Sequence, residues 1–148
     1  MKLGLACDHG GYELKEILKE YLADKGYEII DYGTNSNESV DYPDYAAKLA
    51  RGVLSKEVDL GIAICGTGIG ISIACNKFNG IRAAHVTDAF SAGATRKHND
   101  ANILCLGGRI TGVEVAKNIV DNFLAAEFEG GRHQNRLDKI TELEKRGN

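Results

Sequence analysis

LGIAICGTGIGISI, residues 60–73, is an apolar run that ends in a cysteine and breaks at once into alternating glycines. An apolar run of this length, closed by glycines, reads as a buried parallel strand that delivers its end to a ligand. Cys65 sits at the joint. Gly66, Gly68 and Gly70 let the backbone approach an anion closely, and the helix expected from Ile69 points its N-terminus the same way. Amides and a helix N-terminus stabilise a thiolate, so a cysteine here is a candidate base or nucleophile. A small apolar residue closing a strand is the plainer reading of the same position. Two nucleotide-binding patterns fit poorly. No Lys-Ser/Thr follows the glycines as a P-loop requires, and their spacing is GxGxG rather than GxGxxG, although Asp88 lies near the place of a ribose-binding acid. A small anion at the helix start fits better.

Outward from this stretch the chain alternates strand and helix. Residues 3–7 read as a strand, followed by a helix on which Leu14, Ile17, Leu18, Tyr21 and Leu22 recur, ending at Lys25-Gly26. Residues 27–32 form a second strand, 33–37 a polar loop, and Pro43 opens a helix carrying Tyr45, Leu49 and Val53. After the third strand, 60–64, the pattern predicts a helix over 69–77, a strand over 81–86, a helix over 88–97 that Asp88 could cap, and a strand over 103–106. Val115, Ile119, Val120 and Phe123 mark a further helix. The charged segment 135–146 carries Leu137, Ile140 and Leu143 on its apolar side. Right-handed crossovers then give an α/β, doubly wound, Rossmann-like fold: a five-stranded parallel sheet with helices on both faces and a C-terminal helical extension. Ligands of such sheets bind outside the carboxyl ends of the strands, which here are 8–11, 66–70, 87–88 and 107–109.

The 148 residues fit one domain, 1–148. Eighteen basic and twenty-one acidic residues, interspersed, give a net charge of -3 and argue against nucleic acid as a partner. No apolar run reaches membrane-spanning length and no signal-peptide pattern opens the chain, so a cytoplasmic protein with no membrane partner is expected. Cys7, Cys65, Cys75 and Cys105 show no CxxC spacing and read as buried or reactive thiols, not as a disulfide framework.

Three further groups could carry chemistry. Asp8-His9-Gly10-Gly11 closes the first strand with an acid and an imidazole, although Asp8 could equally cap a helix. His98-Asn99-Asp100 places an acid/base beside an amide donor, or simply ends a helix. Arg132 and Arg136, four apart, suit two guanidiniums closing on a phosphate, or are solvated arginines; Arg109, after Gly107-Gly108, is a third candidate. His98 poses a geometric problem. A helix starting at the ligand end of the sheet carries its far end roughly 15 Å away at about 1.5 Å per residue. If His98 and Cys65 act together, the simplest solution is a dimer in which one copy's His98 and Asn99 reach the other's Cys65 loop.

Taken together, CDHGG at 7–11, DYPDYA at 41–46, ICGTGIGISIACNKFNGIRAA at 64–84, HNDAN at 98–102 and EGGRHQNR at 129–136 resemble ribose-5-phosphate isomerase type B. The likeness covers nearly the whole chain and keeps the family's order. It implies interconversion of ribose 5-phosphate and ribulose 5-phosphate through an enediolate, without a metal or an organic cofactor, in a homodimer whose active sites are shared between subunits. Whether dimers pair into tetramers stays open. By resemblance, Cys65 is the base and the amides of Gly66, Thr67, Gly68, Ile69 and Gly70 hold the enediolate oxygen. His98 and Thr67 assist ring opening, Asn99 supports the oxyanion and Asp8 holds sugar hydroxyls. His9, Arg132 and Arg136 clamp the phosphate, and Arg109 is a further substrate contact. Some relatives carry a glutamate base at the position of Ile71, which is apolar here and leaves Cys65 as the base. Isomerases of allose 6-phosphate and galactose 6-phosphate look similar. A noncatalytic nucleotide-binding module would use the glycines without needing Cys65 or His98.

Overall fold

All six residues of Leu60–Cys65 are buried, and this strand lies in the middle of the sheet. A computed structural model of the chain, describing residues 1–147, has five strands: β1 (Lys2–Cys7), β2 (Glu28–Asp31), β3 (Leu60–Cys65), β4 (Ala83–His85) and β5 (Ile103–Gly107). All neighbours pair in parallel, in the order β2-β1-β3-β5-β4. Six helices complete the fold: α1 (Tyr12–Asp24), α2 (Tyr42–Leu54), α3 (Ile69–Cys75), α4 (Ala89–Asn99), α5 (Val113–Ala125) and α6 (Arg132–Arg146).

Strand periodicity divides the core in two. Leu60, Ile62 and Ile64 join Leu14, Leu18, Leu22, Ala92, Ile119 and Phe123 on the side of α1, α4 and α5. Ala63 and Cys65 point the other way, among Leu49, Ala50, Ile71 and Cys75 of α2 and α3. A strand covered on both faces must be apolar at every position, and residues 60–65 satisfy that. From β1 the chain moves out to the edge strand β2 and then returns to β3 on the other side of β1, so the strand order reverses between β1 and β3. A crevice opens outside the carboxyl ends of two strands at such a reversal. Cys7 pairs with Ile64 in this register, which puts Asp8 and Cys65 at the crevice. The turn after β1 crosses the end of β3 closely: a Cβ on Gly11 would stand 2.5 Å from the Ile64 carbonyl oxygen, so no other residue fits there.

Several boundaries differ from the expectation. The third helix stops at Cys75 rather than at 77 because Asn76 turns to the edge strand, where its amide donates to the Ala83 carbonyl at 2.9 Å and accepts the Ala83 N–H at 2.9 Å. β4 spans Ala83–His85 instead of 81–86, since the Arg82 N–H is taken by the Asn102 side chain at 2.8 Å. Asn76 covers an edge that would otherwise be open to a foreign strand. Asp88 caps α4 as expected, accepting the Ser91 N–H at 2.7 Å, but α4 runs on to Asn99, so His98 and Asn99 are helical. The last helix begins at Arg132, ahead of 135. Val115, read as a core position, is 51% exposed, whereas Ala116 is buried in its place. Of the apolar side of α6 only Leu137 is buried; Ile140 and Leu143 are exposed.

Candidate active site

The glycines after β3 fold back on Cys65. Gly68 adopts a left-handed conformation, φ 81°, and its N–H points at the Cys65 sulfur, 3.2 Å away. A Cβ there would meet the His85 ring at 2.6 Å as well as incurring strain, so glycine is required for this amide to face the sulfur. Cys65 is 5% exposed. Two other thiols are held neutral. Burial pushes Cys7 up to about 12 against the pull of Lys15, and a hydrogen bond with Cys75 together with burial raises Cys105. Thr67 is exposed, and its hydroxyl accepts the Ile69 N–H at 3.2 Å, so two amides of the loop, those of Gly68 and Ile69, serve the loop itself. Gly66 lies under Arg109, whose Nη1 is 3.1 Å from where a Cβ would stand. Gly70 lies under the Tyr42 ring, 2.8 Å from its Cβ position.

The neighbouring strand ends converge on this loop. Asp8 is buried and caps the short turn His9–Gly11, its Oδ1 accepting the Gly10 N–H at 2.8 Å. Nδ1 of His9 accepts the Val40 N–H at 3.2 Å, which puts the neutral ring's proton on Nε2 as a donor for a ligand. Beyond β5, the N–H groups of Gly108 and Arg109 bond the carbonyls of Cys65 and Gly66 at 2.8 and 3.0 Å, locking Arg109 to the loop. His9, Gly10, Glu13, Asn37 and Arg109 line a cleft of about 220 Å³ at this edge.

The remaining candidates gather elsewhere. His98 and Asn99 are exposed in the last turn of α4, which Asp100 closes in a left-handed conformation, φ 43°. That closure is pinned by Arg82, bonded to the Asn99 carbonyl at 2.9 Å and to Asp100 Oδ2 at 3.0 Å, and by Arg96, 2.8 Å from Asp100 Oδ1. The His98 ring stacks on His133, with centroids 4.5 Å apart. Arg132 and Arg136, both exposed, flank His133 on the first turns of α6. Because α4 leaves the carboxyl end of β4 and feeds the amino end of β5, its 11 residues separate this patch from the Cys65 loop by roughly 16 Å at about 1.5 Å per residue. One chain therefore places the candidate residues in two groups toward opposite ends of its strands: Asp8, His9, residues 66–70 and Arg109 in one, His98, Asn99, Arg132 and Arg136 in the other.

The chain matches the ribose/galactose isomerase family profile over residues 3–140. The chain belongs to that family. It is 52% identical to ribose-5-phosphate isomerase B of Escherichia coli (strain K12), over 99% of both chains. Its structure superposes on ribose-5-phosphate isomerase B of Clostridium thermocellum with a TM-score of 0.98 at 57% identity, covering 99% of each chain. The Mycoplasma genitalium ribose-5-phosphate isomerase B, solved with bound ribulose-5-phosphate, matches with a TM-score of 0.94 at 44% identity, over 99% of this chain and 97% of that one.

As a member of the ribose/galactose isomerase family, the chain also presents residues that its motifs alone did not single out. Tyr42, inside the DYPDYA block but given no role there, covers Gly70. Asn37 lines the cleft from the loop after β2, and Val40 of the same loop donates its N–H to His9. His133 is buried between Glu129 and Arg136, and its spacing of three before Arg136 on a helix is the signal that could have found it. Among the described residues, His98, Glu129 and His133 are the group whose donor atoms come within 4.8 Å of one another. They suit a metal poorly. Stacked rings hold their lone pairs in parallel planes instead of converging on one ion, and two arginines add positive charge beside them.

Proposed function

We propose that this chain interconverts ribose 5-phosphate and ribulose 5-phosphate, at sites each assembled from two copies of it. The observation that carries the proposal is the amide donated to Cys65 at the open end of β3, beside the His9 and Arg109 cleft. Removing a proton next to a carbonyl needs a base whose anion is stabilised and donors where negative charge develops. Cys65 takes the proton from C2 of the open-chain aldose and returns it to C1, while the O2 hydroxyl proton passes to O1 across the cis-enediolate. The amides of Gly66, Thr67 and Gly70, which the loop does not use internally, hold the enediolate oxygen with Asn99 of the second copy. Ile71, buried and apolar, offers no alternative base. Opening the furanose requires a proton for the ring oxygen as the C1–O bond breaks and removal of the anomeric hydroxyl proton as C1=O forms. His98 and Thr67 perform these transfers. Asp8 holds sugar hydroxyls, while His9, Arg132 and Arg136 clamp the phosphate with help from Arg109. No step in this scheme calls on a metal or an organic cofactor.

A two-fold dimer supplies both halves twice, because an isologous interface repeats every contact. Ile69 and Ile73, 51% and 57% exposed beside the glycine loop, give the Cys65 edge an apolar surface that a second copy would cover. The two core layers share one sheet, which supports a single domain. No helix of the described residues is long and apolar enough to cross a membrane, and a cytoplasmic enzyme is part of the proposal.

Sugar length is set by how far the phosphate clamp stands from Cys65. Steady-state rates with ribose 5-phosphate, allose 6-phosphate and galactose 6-phosphate test the assignment. The five-carbon sugar is expected to lead in kcat/KM by roughly tenfold or more. A six-carbon sugar in the lead would move the assignment within the family, and binding without turnover of any of the three would overturn it.

A further inference from the structure

His98 is exposed at the end of a helix, where an imidazole is free to sample several rotamers. A group that transfers a proton to a ring oxygen must instead hold one orientation. The surroundings of His98 supply a cause for such an orientation. Its ring lies flat on that of His133, with an interplanar angle of 15°. His133 is 6% exposed, Arg136 Nη1 lies 3.4 Å from its Nδ1, and the Glu129 carboxylate stands 3.7 Å from its Nε2. Glu129 is itself tied to α4, its N–H bonding the carbonyl of Lys97, the residue before His98, at 3.0 Å. Two consecutive left-handed glycines, Gly130 at φ 63° and Gly131 at φ 56°, turn the chain so that His133 arrives beneath His98. The stack engages only the face of the His98 ring, so its nitrogens stay at the free edge.

We infer that His133 is a positioning residue for ring opening, a fixed aromatic platform that sets the orientation of His98 through its face and without touching the substrate. This deepens the proposed function and rests on its assignment of His98 to ring opening. The groups facing the pair are Glu129, Arg132 and Arg136. Burial, then the charges of His98, Arg132 and Arg136, push His133 below the ordinary histidine range, so the platform is neutral and does not oppose a proton on His98.

Ring chemistry and proton transfer at carbon can be read separately. Ribulose 5-phosphate has its C5 oxygen phosphorylated and stays open-chain, so exchange of its C1 proton in D₂O reports the Cys65 step alone. For His133→Ala, kcat with ribose 5-phosphate is expected to fall roughly 10- to 100-fold, with KM within about twofold. Exchange into ribulose 5-phosphate should remain near wild type. His133→Phe keeps an aromatic face and should recover most of kcat. A loss that falls in KM and in exchange together would make His133 a phosphate contact and overturn the inference. So would a His133→Phe variant as impaired as His133→Ala, or an unimpaired His133→Ala. His98→Ala separates the two levels: it should lose ribose 5-phosphate turnover and keep exchange. Loss of exchange in His98→Ala would sink the ring-opening assignment and the platform with it.

Discussion

Cys65→Ala is expected to lose turnover by about 10²- to 10⁴-fold or more, the contribution of a positioned base, while ribose 5-phosphate still binds. No other group can take over. Cys7 is pushed up to about 12 by burial and faces the opposite layer of the core, Cys105 is raised and fully buried, and Ile71 carries no carboxylate. The phosphate contacts take no part in bond changes, so binding measured by calorimetry should survive the substitution. A Cys65→Ala enzyme within about tenfold of the wild-type kcat would remove the thiol from the chemistry.

A second large effect concerns stability. Lys15 is fully buried, and its ammonium is held by Asp31 at 2.6 Å and Glu16 at 2.8 Å, with Lys19 joining Asp31 at 2.8 Å. This network pins α1 to the end of β2, beside Cys7 and Asp8. Losing Asp31 leaves the buried Lys15 ammonium with Glu16 as its remaining carboxylate, so Asp31→Ala should cost about 3 kcal/mol, the lower end for breaking a buried pair. For a chain of this size that lowers Tm by roughly 10 °C. The double variant Lys15→Met, Asp31→Ala should regain much of the loss, because it removes the buried ammonium as well; no recovery would show that the damage lies elsewhere. The pH dependence has a definite sign. Burial raises the Asp31 carboxyl, but hydrogen bonds from Lys15, Lys19 and the Gly33 amide outweigh it and hold the group below its usual range. A depressed carboxylate contributes stability above its unfolded value, about 3.9, and loses it as pH falls through the lower folded value. Wild type should therefore weaken below about pH 4 more steeply than Asp31→Ala in denaturant titrations.

The strand at 60–65 and its glycines made the parallel sheet legible, because a doubly covered strand must be apolar throughout and a backbone that folds over its own sulfur needs glycine. The separation of His98 from Cys65 was legible for the same reason, since helix length and direction follow from the alternation of elements. What escaped depends on contacts distant in sequence. The extension of α4 to Asn99 is held by Arg82 from another strand, and the shortening of β4 follows from the side chains of Asn76 and Asn102. Tyr42 over Gly70 and His133 under His98 are pairings between elements that local pattern does not connect.

The claim that each site takes Cys65 from one copy and His98 from another is tested most directly by mixing two inactive proteins. Cys65→Ala and His98→Ala subunits, unfolded together and refolded in equal amounts, form mixed dimers in which one site has both residues intact and the other has neither. Half the dimers then carry one working site of two, and about a quarter of wild-type activity should return. Native mass spectrometry would verify that mixed dimers are present. Their presence without any recovered activity would contradict a shared site.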